Sequence, residues 1–113
     1  MAIVAPVTTK NVNKYLDVLW ETLTSGDSGA VATIGQYPDK TVQITGTLDT
    51  TTPSLEGSMD QTTWFQLTSD GTNAIAGLGL FYVWENPNFI RPLNVGGGAS
   101  TDIDYQLGMS VLV

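Results

Sequence analysis

The chain has 113 residues and a formal net charge of −7, from four Lys+Arg and eleven Asp+Glu, with no His and no Cys. That excludes thiolate or imidazole zinc sites, disulfides, Ser-His-Asp triads and Cys-His dyads, and removes the commonest acid–base group near neutral pH. The cations are only Lys10, Lys14, Lys40 and Arg91, too few for the phosphate contacts of a nucleic-acid binder, so nucleic acid and anionic membranes are poor partners.

Charged residues make up 13% of the chain, about half the share in an average domain, so hydroxyls and amides must carry the surface. The length suits one domain. No run of about 18 apolar residues occurs, so no transmembrane helix is expected. The first nine residues lack the basic-then-apolar pattern of a secretory signal, which points to synthesis and folding in a reducing cytoplasm.

Residues 1–10 are expected to form an N-terminal arm, of the kind that is mobile unless tied down, ahead of a single domain over 11–113. Next, Val12, Tyr15, Leu16, Leu19 and Leu23 recur at helical spacing. The same stretch fits a strand with Leu16, Val18, Trp20 and Thr22 on one face. Periodicity leaves both open. Turn signals then follow at short intervals: Ser25-Gly26-Asp27, Pro38-Asp39, Asp49 to Pro53, Ser58 to Asp60, Ser69-Asp70-Gly71, Asn86-Pro87-Asn88 and Gly96-Gly97-Gly98. Strands divided in this way indicate a sandwich or a barrel.

Between the turns, Thr41 to Leu48 alternates, with Val42, Ile44 and Leu48 on one face. Trp64 to Leu67, Leu80 to Trp84 and Phe89 to Leu93 are rich in aromatic and branched residues and read as strands. Pro92 has no N–H for a ladder, so its strand is expected at an edge or ending there. The clearest strand is the last, where Ile103, Tyr105, Leu107, Met109, Val111 and Val113 alternate with polar or small residues.

Several of these segments together carry a likeness. Trp20 and Leu23 precede Ser25-Gly26-Asp27-Ser28-Gly29, then comes the run from Asp39 to Thr47. Leu55-Glu56-Gly57-Ser58-Met59-Asp60, Trp64, Leu67 and Gly71 follow, then Glu85-Asn86-Pro87, Ile90-Arg91-Pro92 and a Gly-rich turn into the final strand. In this order and spacing, over residues 16 to 113, the chain resembles the small all-β head decoration (cement) proteins of tailed phages. Met59 and Gln61 stand where that family usually has Asn and Gly, residues suited to positive φ.

The resemblance favours the strand reading of Leu16 to Leu23. It implies an all-β, antiparallel, jelly-roll-like β-sandwich of about eight strands. It further implies a non-enzymatic virion protein, made in the host cytoplasm, with no cofactor and no metal. Homotrimers on the outer capsid surface would bridge subunits of the major capsid protein on the expanded shell. Interface candidates are the N-terminal segment, Tyr15, Trp20, Arg91 and Glu85, with Arg91 able to pair with Glu85 or with an acid of a neighbouring subunit.

A second reading is a carbohydrate-binding module displayed on a virion. Ser58 and Asp60 would supply polar partners and Trp64 or Trp84 a stacking face. The competing structural account is that Ser58 and Asp60 bond their own turn while Trp64 packs inward. Asp49, Glu56, Asp60, Asp70, Asp102 and Asp104 offer hard oxygen ligands for Ca²⁺ but lack calcium-loop spacing, and suit a solvated acidic surface. A carboxylate pair for glycoside hydrolysis is formally available, yet nothing selects one. Gly96-Gly97-Gly98 lacks the following helix and lysine of a phosphate loop and reads as a flexible connection.

Overall fold

The computed structural model describes residues 2–12, 15–35 and 37–111. They form eleven strands: β1 (Ile3–Val4), β2 (Val7–Val12), β3 (Tyr15–Leu23), β4 (Ser28–Gly29), β5 (Ala32–Thr33), β6 (Asp39–Thr47), β7 (Thr52–Ser58), β8 (Phe65–Gln66), β9 (Gly79–Tyr82), β10 (Phe89–Val95) and β11 (Asp102–Ser110). No helix occurs among the described residues. Six strands make one sheet, ordered β1-β4-β10-β7-β8 with β5 also on β10, and five make the other, ordered β2-β3-β11-β6-β9.

This order is that of a jelly roll. Both β4 and β5 pair with β10, so they act as one interrupted strand. Setting aside β1 and β2, eight strands then remain. Numbered along the chain, they run 1-8-3-6 in one sheet and 2-7-4-5 in the other, two interlocked Greek keys. The sandwich expected from the sequence is present.

Alternation builds the core. Ile103, Tyr105, Leu107 and Met109 of β11 face Val18, Trp20, Val42, Ile44, Leu55 and Ile90 from the neighbouring and opposing strands. Ile34, Leu67, Ile75 and Val83 close it from the connections. β11 holds the middle of its sheet, paired to β3 on one side and β6 on the other. Val113, at the end of the expected strand, lies outside the described residues. Leu48, expected inside, falls just past β6 and is exposed.

The ambiguous segment at 15–23 is β3, and its ambiguity has a structural origin. Ile103 pairs with Leu23 but Tyr105 with Trp20, so an extra residue is inserted in β3. Thr22 adopts φ 59° and its N–H donates to Asp104 Oδ1 at 2.8 Å. The bulge turns Thr22 outward and Leu23 into the core, correcting the expected Leu16–Val18–Trp20–Thr22 face. An apolar series that changes parity in mid-strand looks helical.

Two further expectations are corrected. Pro92 sits in a central strand, between β7 and the β4/β5 pair. Asn94 N–H donates to Asp27 O and Asn88 O accepts from Ile34 N–H, so even-numbered backbone positions of β10 face β4 and β5. The donor-less nitrogen of Pro92 therefore points at the gap between those two short strands, where no ladder bond is lost. The separate arm over 1–10 is replaced, in its described part, by edge strands. β1 adds in parallel to β4, and β2, which runs across the expected 10/11 boundary, adds to β3. Ala2 N–H also donates to the buried Asp27 carboxylate at 2.8 Å.

Candidate functional site

The turn after β7 consumes its own polar groups. Ser58 Oγ donates to Asp60 Oδ1 at 3.0 Å and accepts from the Asp60 and Gln61 N–H groups. Asp60 Oδ1 also accepts from Thr62 and Thr63 N–H. These bonds, led by the one from Thr63, hold the Asp60 carboxyl below its ordinary pKa. Gln61 takes φ 63°, so the left-handed position is occupied without the glycine usual there. Ser58 and Asp60 thus serve the turn, as the structural account anticipated.

Trp64 departs from that account, because it does not pack into the core. It is half-buried on the sheet surface, with the Arg91 guanidinium 4.1 Å from its ring centroid. Arg91 Nε donates to Glu56 Oε1 at 3.0 Å, directly across the β10–β7 ladder. One face of Trp64 is therefore taken by Arg91, while Ser58 Oγ and Asp60 Oδ1 are engaged within their own turn.

Arg91 does not pair with Glu85, and that expectation is corrected. Glu85 accepts from Thr68 N–H at 2.8 Å and from Thr68 Oγ1 at 2.6 Å. Burial raises its pKa, but the Thr68 bonds and the charge of Lys40 outweigh this and leave it lowered. Lys40 itself is buried, its Nζ donating to Tyr37 O at 3.1 Å and Asn86 Oδ1 at 2.5 Å. Trp20 is fully buried with Nε1 bonded to Ala30 O, so it offers no contact surface.

The remaining acids are spread out. Asp70 caps its own turn through Thr72, Asn73 and the Asn73 amide. Asp49 Oδ2 accepts from Ser100 N–H and packs against Gly98, making the glycine-rich connection a close-packed turn. Among the described residues, no three acidic groups converge in a metal-holding cluster.

Two surface features stand out. The first is an apolar cleft of about 460 Å³ beside the β7–β8 turn, with Leu67, Pro87, Met59 and Phe65 among its walls. Met59 is 64% exposed and Phe65 68%. The second is a groove across the outer face of the five-stranded sheet, over Gly108 and flanked by Tyr15, Leu80 and Tyr82. Tyr15 is the one interface candidate placed there. Neither feature was read from the sequence. A glycine among the alternating polar positions of β11, and exposed aromatics around a short edge strand, were the available signals.

No family model matches the chain, and no curated protein matches it. Among solved structures it is similar to the SPBc2 prophage-derived protein YomS, with a TM-score of 0.57 and 12% identity over 89% of this chain and 98% of that one. This likeness shows the fold. A cupin domain from Bordetella pertussis gives a looser overlay, with a TM-score of 0.45 and 12% identity over 99% and 96% of the two chains.

Proposed function

We propose that this chain is a phage virion protein that decorates the head, bridging neighbouring capsid subunits without catalysing a reaction. The observation that carries the proposal is the shared jelly roll with a prophage-derived protein across nearly the whole of both chains. The sequence resemblance to head decoration proteins points the same way.

The apolar cleft beside Met59 and Phe65 is the seat on the capsid. Large apolar side chains exposed around a pocket mark an interaction surface. Here the pocket adjoins β8, a two-residue strand at the edge of its sheet. An apolar side chain on an extended segment of the capsid protein fits that geometry. Each such contact is weak, and a homotrimer engaging several capsid subunits gains avidity from effective concentration.

Co-sedimentation with purified phage heads tests the reading. The expected result is binding to expanded heads, none to the unexpanded form, a trimeric mass, and loss of binding in Phe65→Asp. A lone monomer that binds neither form overturns it.

A further inference from the structure

The groove on the five-stranded sheet plays no part in seating the protein by the cleft, which belongs to the other sheet. It consists of two adjoining hollows of about 290 and 190 Å³ that share Tyr15, Thr41 and Gly108. Together they reach the size of ordinary small-molecule sites. Gly108 makes the floor, since a Cβ there would lie 2.8 Å from Tyr15 Oη.

Its chemistry is specific. Thr41 and Gln43 of β6 and Gln106 of β11 bring a hydroxyl and two amides to the groove, and Leu80 brings an apolar wall. Asp17 lies at its edge, with Oδ2 accepting from Gln106 Nε2 at 3.0 Å. Its other oxygen, Oδ1, is buried and has no hydrogen-bond partner among the described residues. The oxygen on the groove side is Oδ2, which keeps acceptor capacity beyond the Gln106 bond, since a carboxylate oxygen can accept more than one donor.

We infer that this groove binds a neutral saccharide. Hydroxyls donate to Asp17 and exchange bonds with the two glutamines and Thr41, while sugar C–H faces lie against Leu80 and Tyr82. The net charge of −7 and the carboxylates of Asp17 and Asp39 at the groove disfavour acidic sugars. The strands beneath are mutually paired, so the face offers no backbone ladder to a peptide. This inference stands independently of head binding.

The test is saturation-transfer NMR and calorimetry on the full chain with maltohexaose, cellohexaose, laminarihexaose and mannohexaose, and hexagalacturonate as the acidic control. At least one neutral oligomer binds and the acidic one does not. Gln43→Ala, on an exposed side chain, and Asp17→Ala each weaken binding about tenfold or more, whereas Phe65→Asp leaves it unchanged. The inference is overturned if no neutral oligomer binds, if the acidic control binds as well, or if binding survives Gln43→Ala. Loss of binding in Phe65→Asp also overturns it.

Discussion

Inside the sandwich, Tyr105 Oη donates to Asn94 Oδ1 at 2.6 Å, joining β11 of one sheet to β10 of the other. The Asn94 amide in turn donates to Leu23 O, at the end of β3 in the first sheet, and to Thr24 O just past it, at 2.8 and 3.0 Å. Both side chains are buried, and burial pushes the Tyr105 hydroxyl far above its ordinary pKa, so it remains a donor at every working pH. Tyr105→Phe keeps the ring and strands the Asn94 oxygen. The expected loss is about 1–3 kcal/mol, read from urea unfolding. An unchanged midpoint would show that Asn94 finds another donor.

Arg91 supports Trp64 by stacking as much as by charge. Its ion pair with Glu56 is partly exposed, with side-chain exposures of 31% and 19%, so solvent screens much of the attraction. The planar guanidinium over the indole adds about 0.5–1 kcal/mol. Arg91→Lys keeps the charge and loses the plane. It should cost about 1 kcal/mol or less and shift tryptophan emission to the red, whereas Glu56→Gln leaves the emission largely in place.

What the sequence discloses is set by where the alternation is uninterrupted. β11 reads cleanly because its inward residues keep one parity from end to end, and β6 does so from Lys40 to Ile44 but not beyond, which is why Leu48 was misplaced. β3 does not, because the inserted residue at Thr22 switches Leu23 onto the inner face. The edge reading of Pro92 failed because it assumed a neighbour at every position, and the break between β4 and β5 removes that neighbour. The groove was hidden for a different reason. Its residues come from β3, β6, β9 and β11, and only the 1-8-3-6 strand order brings Asp17 beside Gln106.

Thr22 offers a direct check on the bulge. A β-branched residue at φ 59° is strained, and glycine adopts that conformation at little steric cost. Thr22→Gly keeps the N–H that donates to Asp104, so it should be neutral or raise stability by up to about 1 kcal/mol. Asp104→Ala removes the acceptor and should lower stability. A destabilised Thr22→Gly would show that the threonine side chain itself holds the bulge.

The acid limb of stability follows from Asp27. Burial raises its pKa, but the N–H and Oγ of Thr24 and the N–H of Ala2 donate to the carboxylate and bring the net below the ordinary 3.8. Asp60, Asp70 and Glu85 move in the same direction. A carboxyl depressed on folding contributes stability that is complete above its unfolded pKa and is lost as pH falls through its folded pKa. Stability should therefore be nearly level from about pH 7 to 5 and fall steeply below about pH 4. Asp27→Asn gives up the charge-assisted bonds at all pH values, so it should be less stable at neutrality and show a shallower acid limb. Urea midpoints measured from neutral pH into acid for both proteins check this. Parallel acid limbs would mean that the other three carboxylates carry the effect and that Asp27 contributes little to it.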